Sequence, residues 1–361
     1  MVLAALIYTH PDETYLGTAL RRSLLLFTTW IAAYIFNVLC DIQQAVEAHL
    51  KPRTAPPAAS TTAAPPRART DGLARAERPT LQAGFSCPKV AAGSKAAHAW
   101  ADLSAESFNV RCGPNYARNG KKAPSAAALG DVVAVDTFIS EKKIFDFLAL
   151  NHIELPEPSR NWKETYPEFV VINQMLATNF HNSMFTDEKT DGETMHLIVY
   201  VRLKPNLAPG YETDQEPQNA EELLKRFLLR ADQEPDIAHC FKEIGVVRNL
   251  EELGAHLPSS LMSLFRKFNG KPVLTRPEHF FHRDPAGRYF GIDLDAHRYK
   301  YMTRTAVHKA LGYVERVALG YGYVVEARKE PELPECMLCS CEILMLQKSR
   351  AVKFPPPPAG Y

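Results

Sequence analysis

The sequence predicts an α+β domain whose largely antiparallel sheet curves around one long amphipathic helix. Residues 194–203 alternate apolar and polar side chains, as a strand with one buried face does. Residues 302–319 instead repeat apolar side chains at spacings of three and four, as an amphipathic helix does. Strand patterns lie close together in sequence and mix with helix patterns, which favours this architecture over a doubly wound one. We therefore expect a helix-grip-like fold in which the sheet covers the apolar stripe of helix 302–319.

The remaining elements follow from the same two periodicities. Further strands are predicted at Phe169–Met175, Tyr289–Asp295, Gly322–Ala327 and Cys336–Leu346, and further helices at Ala220–Arg230 and Leu257–Phe268. Gly320 and Gly322 follow the late apolar stripe and are predicted to end its helix. Together these elements define one domain over residues 96–352, with a proline-rich tail at residues 353–361.

An uncharged apolar segment, Ser23–Cys40, follows residues 1–22 of mixed composition. As a helix its 18 residues would span roughly 27 Å, and the hydrocarbon core of a bilayer is about 30 Å thick. The segment is therefore predicted to be a transmembrane anchor. The alternatives are a hydrophobic helix packed on the domain and a cleaved targeting segment, and the flanking charges do not fix an orientation.

Residues 41–95 are predicted to form a disordered linker. Their central part is rich in proline, alanine and basic residues, with only Asp71 and Glu77 acidic between residues 51 and 80. Such a composition cannot bury enough apolar surface to offset the entropy lost on ordering. An apolar run followed by this stretch is also typical of a plastid import leader. We expect a membrane-associated protein with its folded domain in the cytosol, or alternatively a plastid protein.

Composition excludes several classes of protein. The formal net charge is +1, and no clustered basic segment indicates a nucleic-acid partner. The seven cysteines are odd in number and without paired spacing, which argues against a secreted disulfide scaffold. No sequence pattern for a phosphate loop, a dinucleotide site or a zinc protease occurs in the chain. No cofactor or metal is therefore expected.

A series of nine short motifs is spread along the domain. They are Trp100, Phe108–Arg111, Gly113–Tyr116, Val135–Phe138, Phe169–Gln174, Phe241–Ile244, Tyr289–Asp295, Leu311–Val314 and Glu332–Glu335. This series resembles the C-terminal domain of the plant Enhanced Disease Resistance 2 family. Two departures are Gly291, where the family has a glutamate, and Arg298–Lys300, which replace a serine run.

The resemblance implies membrane or lipid association and a regulatory role. It implies no chemistry, because the family domain carries no assigned reaction. Longer members have pleckstrin-homology and START domains ahead of this domain. The residues that precede Trp100 are too few to hold both of these domains, and their composition fits neither domain. We therefore do not expect the phosphoinositide binding that those domains would supply.

Asp293 and Asp295 are the pair of polar residues that most clearly suggests a chemical role. On a strand they would share one face, about 7 Å apart. Such carboxylates can bind a cation or share a proton. The alternative is an outward polar face paired with Arg283, Arg288 or Arg298.

A lipid site is predicted along the late helix. Its apolar lining would include Ala306, Ala310, Val314 and Val317. Arg111, Asn115 and Tyr116 are candidates for recognising an anionic head group through charge-assisted hydrogen bonds. The alternative is that Arg111 neutralises a carboxylate of the protein and that the neighbouring segment is a turn.

Two further patterns are weaker. The Cys336-x-x-Cys339-x-Cys341 pattern suggests a metal site, but Cys336 and Cys339 would point to opposite faces of a strand, so buried cysteines are predicted. The consecutive prolines of Phe354–Pro358 favour the polyproline II conformation, which makes this segment a candidate ligand for a polyproline-recognising domain. The alternative is a solvated tail.

From these observations we expect a non-enzymatic, lipid- or membrane-associated regulatory protein. A hydrolytic or cation-dependent enzyme that uses Asp293 and Asp295 is the first alternative. An interaction scaffold that acts through the proline-rich tail is the second.

Overall fold

Two six-stranded β-sheets form the framework of the domain in the computed structural model. The structure describes residues 81–151, 153–159, 166–178, 191–204, 215–254, 256–274, 279–299 and 301–354. Segments 1–22 and 23–40, most of the linker and the tail after Phe354 lie outside this range. No helix within the described residues is both long and apolar enough to span a membrane.

Sheet 1 has the spatial order β11–β10–β14–β15–β3–β2. Its strands are β2 (Lys89–Val90), β3 (Ala99–Asp102), β10 (Phe241–Val247), β11 (Pro272–Leu274), β14 (Ala318–Val325) and β15 (Met337–Leu344). The neighbouring strands pair antiparallel, except for β2 and β3, which are parallel.

Sheet 2 has the spatial order β12–β13–β8–β9–β6–β16. Its strands are β6 (Gly130–Ser140), β8 (Phe169–Ala177), β9 (Thr194–Leu203), β12 (His279–Arg283), β13 (Tyr289–Asp295) and β16 (Val352–Phe354). The pairs β13–β8 and β16–β6 are parallel, and the other pairs are antiparallel.

Smaller elements complete the described part of the chain. Two short ribbons pair β1 (Leu81–Gln82) with β7 (Ile153–Glu154), and β4 (Asn109–Arg111) with β5 (Lys122–Pro124). The helices are α1 (Tyr116–Asn119), α2 (Phe147–Asn151), α3 (Ala220–Arg230), α4 (Pro235–Ala238), α5 (Leu250–Leu253), α6 (Ser259–Phe268) and α7 (Tyr301–Leu311).

The inner faces of the two sheets meet in one hydrophobic core. Sheet 2 contributes alternate residues of β9, and sheet 1 contributes alternate residues of β14 and β15; these are Met195, Leu197, Val199, Val201, Leu203, Tyr321, Tyr323, Cys339, Cys341 and Ile343. The apolar stripe of α3 packs on the same cluster. A second cluster, which includes Phe138, Phe147 and Phe169, lies on the opposite face of sheet 2. Sheet 2 is therefore buried on both faces.

The predicted helix-grip-like fold is wrong, because no long helix occupies residues 302–319. Helix α7 ends at Leu311, a 3₁₀ turn spans Val314–Arg316, and β14 begins at Ala318. Gly312 has low helix propensity, and Val314 and Val317 are β-branched residues that favour extended backbone. The apolar side chains keep a helical spacing through residues 302–319, although the backbone changes there from helix to turn to strand.

Gly320 and Gly322 do not end a helix but lie inside β14. A Cβ atom on Gly322 would lie 2.5 Å from Met337 Cε and 2.7 Å from the carbonyl oxygen of Cys339. A Cβ atom on Gly320 would lie 2.9 Å from Leu103 Cδ2. The two glycines therefore permit close approach on the outer face of sheet 1.

Several other predicted elements are confirmed. The strands at Thr194–Leu203 and Tyr289–Asp295 and the helix at Ala220–Arg230 have the predicted bounds. The predicted linker, residues 41–95, is described only from residue 81 onward. There it contains β1, β2 and Cys87, which is 0% exposed, so ordered structure begins before residue 96.

Candidate functional site

Asp293 and Asp295 project from the face of sheet 2 that points away from sheet 1. Their neighbours Ile292 and Leu294 enter the core between the sheets, and side chains of a strand alternate between its faces. The predicted shared face is therefore confirmed. Both aspartates are buried, with 2% and 0% of their surface exposed.

The arginines proposed as partners for these aspartates have other contacts. Arg283 forms an ion pair with Asp232, at 2.6 Å, and Arg288 pairs with Glu168, at 3.3 Å. The guanidinium of Arg298 lies over an aromatic ring, 5.6 Å from its centroid. The alternative of an outward polar face is wrong because both aspartates are buried.

Asp293 is contacted by polar groups from three separate segments. Its Oδ1 accepts a hydrogen bond from Asn173 Nδ2, at 2.6 Å, and its Oδ2 accepts one from the backbone N–H of Asp146, at 2.9 Å. His282 Nε2, on the neighbouring β12, also contacts Oδ2. These donors occupy both carboxylate oxygens.

Asp295 forms a buried ion pair with Lys143. The Lys143 Nζ atom lies 2.8 Å from Asp295 Oδ2, and only 10% and 1% of the two side chains are exposed. The backbone N–H of His297 donates to Asp295 Oδ1 at 3.1 Å. Removal of one partner from such a pair leaves an uncompensated buried charge, which is strongly destabilising.

Ser140, His196 and Asn173 form a chain of hydrogen bonds across β6, β9 and β8. Ser140 Oγ lies 3.0 Å from His196 Nε2, and His196 Nδ1 lies 2.9 Å from Asn173 Oδ1. The order resembles nucleophile, base and orienting group. However, the Ser140 hydroxyl also donates to the carbonyl oxygen of Lys142, at 2.5 Å, so two acceptors compete for one proton.

Burial makes His196 a poor general base. The ring is 0% exposed, and desolvation, followed by the charge of His297, lowers the pKa of His196 to about 3. A catalytic base works best with a pKa near the operating pH. Ser140 is only 2% exposed. The chain therefore has the connectivity of a triad without a basic imidazole or an accessible hydroxyl.

Several of these contacts reach residues 141–146, which connect β6 to α2. The carbonyl oxygen of Ile144 accepts from Asn173 Nδ2 at 3.0 Å. Asp146 adopts the left-handed region, with φ +44°, and its carboxylate accepts from the hydroxyl of Tyr289 at 3.0 Å. Together with the contacts to Lys142, Lys143 and Asp146 N–H, these bonds hold the connection against sheet 2. We call this set of residues and its backbone contacts the outer-face network.

The carboxylate oxygens of the outer-face network, which are the atoms that could bind a metal, are already in contact with protein groups. Asp293 and Asp295 already accept hydrogen bonds or an ion pair on both oxygens. Within the described ranges, no group of three or more His, Cys, Asp or Glu side chains is arranged to hold a metal ion. The geometry supports attachment of one segment to a sheet more readily than coordination.

A second buried polar cluster lies between the two sheets. Tyr321 on β14 donates to the side-chain oxygen of Gln174 on β8, and Tyr323 donates to the Tyr321 hydroxyl at 3.0 Å. Burial raises the pKa of the neighbouring Glu243 on β10 to about 7. The cluster therefore contains a carboxyl group that titrates near neutral pH.

The predicted head-group residues lie outside sheet 1. Arg111 pairs with Glu326, at 2.6 Å, and with Glu335, at 3.8 Å. Its guanidinium also lies 4.9 Å from the ring centroid of Tyr116. Asn115 has φ +63° and leads into α1. Arg111 thus contacts protein carboxylates, as the alternative interpretation expected.

The predicted apolar lining is divided between separate elements. Ala306 and Ala310 belong to α7, and Val314 belongs to the 3₁₀ turn that follows. Val314 packs against the core between the sheets, whereas Val317 packs in a different cluster with Leu253 and Leu261. Val314 and Val317 therefore do not belong to one continuous stripe.

Of the two weaker patterns, the buried-strand prediction is correct for Cys339 and Cys341 and wrong for Cys336, which is only half-buried. Cys336 precedes β15 and contacts the carbonyl oxygen of Ala127, whereas Cys339 and Cys341 are buried within the strand. Burial raises the pKa of Cys339 to about 12. Phe354 ends β16 and packs edge-on against the ring of Phe138, at 4.8 Å. Residues 355–361 of the tail lie outside the described residues.

Sequence reasoning missed most of the outer-face network. Asn173 and His196 lie in strands that were predicted correctly, and as the polar residues of apolar strands they carried a detectable signal. Because β8 is buried on both faces, an asparagine inside it must find hydrogen-bond partners. Lys143 carried no such signal, since its partner is 152 residues away.

Comparison with known proteins identifies one family. A family model described as "Protein ENHANCED DISEASE RESISTANCE 2, C-terminal" matches residues 100–347. The match covers about two thirds of the chain. Neither a curated protein nor a solved structure matches the chain.

Proposed function

The chain belongs to the Enhanced Disease Resistance 2 C-terminal family, and from this membership we propose that it is a non-enzymatic, membrane-associated regulatory protein. The observation that carries the non-enzymatic part is that protein groups already contact both oxygens of Asp293 and of Asp295. A reaction centre needs groups that are free to meet a substrate. Here the carboxylates hold a connection of the chain in place.

The membrane part of the proposal rests on Ser23–Cys40, outside the described residues. Its length and lack of charge suit a membrane anchor. A connection through residues 41–80 would then tether the folded domain at the membrane surface, on the cytosolic side. The regulatory part rests on the family resemblance alone.

Fractionation of the full-length, tagged protein tests the membrane part. We expect the protein in the membrane pellet, and we expect it to resist extraction at alkaline pH. A variant that lacks residues 23–40 is the comparison, and it should be released by the alkaline wash. Recovery of the full-length protein entirely in the soluble fraction would contradict membrane association.

An enzyme remains the second candidate, favoured by one observation. The Ser140–His196–Asn173 chain connects to Asp293 and His282 within the same buried network. If this network bound a catalytic cation, Mg²⁺, Mn²⁺ or Ca²⁺ would raise the Tm of the full-length protein. The increase would vanish in Asp293→Asn. We expect no increase for either protein.

A further inference from the structure

Helix α6 ends with a large apolar side chain exposed to solvent. Its inner face packs through Leu261 and Met262, which are 5% and 6% exposed, in a cluster with Val317. Phe268, at the last position of the helix, is 52% exposed. Isolated exposed apolar residues are common on soluble proteins. The surroundings of Phe268 distinguish it from such cases.

The turn that follows α6 is fixed to sheet 1. The side chain of Asn269 accepts from the backbone N–H of Val247 at 2.6 Å and donates to the carbonyl oxygen of Val247 at 3.3 Å. The N–H of Gly270, at φ +70°, donates to Gly245 at 2.9 Å. The exposure of Phe268 is therefore set by an anchored backbone.

Three basic residues lie within three positions of this phenylalanine in the sequence. Arg266, Lys267 and Lys271 are all exposed, and Lys267 Nζ lies 5.5 Å from the Phe268 ring centroid. Arg266 approaches Glu251 at 3.9 Å with both side chains largely in solvent, a geometry of little energetic weight. Neither lysine forms an ion pair with any described residue.

We propose that this tip, residues 266–271, docks on an anionic membrane surface. Phe268 inserts between the head groups, while Lys267 and Lys271 lie at the level of the lipid phosphates and carboxylates. An aromatic side chain beside basic ones is the combination that suits the interface of an anionic bilayer. The proposal rests on the proposed function, because it assumes a domain held near a membrane, and it adds the face that contacts the lipid.

Charge complementarity favours a lipid surface as the occupant. Lys267 and Lys271, which form no ion pair with a described residue, and the weakly paired Arg266 are exposed near the exposed Phe268, whereas the nearby acidic residues, Glu251 and Glu252, lie on α5. Each basic group near an anionic leaflet contributes roughly a fivefold increase in affinity. The fixed turn also keeps the entropy lost on docking small.

Hydroxyl-radical footprinting of the full-length protein tests the proposal. The oxidation rate of Phe268 is measured by mass spectrometry with neutral phosphatidylcholine vesicles and with vesicles that also contain phosphatidylserine. Phe85, which is 38% exposed, is the internal reference. We expect protection of Phe268 by the anionic vesicles only, and no change at Phe85.

Variants separate this docking from the anchor. In Lys267→Gln/Lys271→Gln, half-maximal protection of Phe268 should need roughly 25-fold more anionic lipid, a factor of about five per charge. The matched control, Lys121→Gln/Lys122→Gln, removes two exposed lysines elsewhere and should behave as the wild type.

Three results would overturn the proposal. If the protein binds both kinds of vesicle and Phe268 stays unprotected, the tip is not a membrane contact, although membrane association stands. If soluble polyglutamate protects Phe268 as well as anionic vesicles do, the surface suits an acidic protein instead. If the protein binds neither kind of vesicle, the proposed function fails together with the inference.

Discussion

Tyr321 in sheet 1 donates its hydroxyl hydrogen to the side-chain oxygen of Gln174 in sheet 2. This bond crosses the hydrophobic core, where a polar group must find a partner within the protein. Glu243 lies beside it, and burial is the main reason for its raised pKa of about 7. A carboxyl group whose charge changes near neutral pH therefore lies beside the polar contact between the two sheets.

Glu243 should make the domain less stable as the pH rises toward neutrality. In the unfolded chain its pKa is close to 4.5, and in the folded protein it is about 7. Between these values the folded state holds a proton that the unfolded state has lost. The stabilising contribution is complete below about pH 4.5 and is lost as pH rises through about 7, with a change on the order of 3 kcal/mol.

Urea unfolding of wild type and Glu243→Gln at several pH values measures this effect. Because other groups also titrate, the quantity of interest is the difference in free energy of unfolding between the two proteins. It should shift in favour of Glu243→Gln as the pH increases from 4.5 to 7. A difference that is independent of pH would show that Glu243 has an ordinary pKa.

Lys143→Met should destabilise the domain by about 3–5 kcal/mol, since it leaves Asp295 charged and buried without its partner. The matched control is Lys89→Met. Lys89 pairs with Asp102 at 2.7 Å, but 49% and 69% of these side chains are exposed, so its removal should cost at most about 1 kcal/mol. Similar losses of unfolding free energy in the two variants would contradict the burial of the Lys143–Asp295 pair.

Gly322→Ala tests the strand assignment of residues 318–325. An added methyl group would collide with Met337 and Cys339, and overpacking of this kind costs about 1–3 kcal/mol. Gly192→Ala is the control, because a Cβ atom there meets nothing within 4 Å. A helix that ended near this glycine would tolerate alanine at residue 322. An unchanged Tm for Gly322→Ala would therefore favour the helix.

Features set by local sequence patterns were predictable, whereas features set by contacts between distant residues were not. The faces of β9 and β13 were predictable because alternation along a strand reports burial directly. The end of α7 was not, because apolar side chains kept a helical spacing while the backbone changed to a turn and a strand. In that region tertiary contacts, including the sites that only Gly320 and Gly322 can fill, outweighed the local pattern.

The same distinction applies to the candidate site. The shared face of Asp293 and Asp295 follows from their spacing of two residues. Their partners do not, since Asn173 and Lys143 lie 120 and 152 residues away in sequence. The sequence could thus indicate which carboxylates belong together, but not whether protein donors or a ligand would satisfy them.

We propose that the outer-face network holds residues 141–146 on sheet 2 rather than serving a reaction. Amide hydrogen exchange of wild type and Asp293→Asn tests it most directly, because Asp293 accepts from the N–H of Asp146. We predict faster exchange across residues 141–147 in the variant, with unchanged exchange in β15. Unchanged exchange in residues 141–147 would contradict the account.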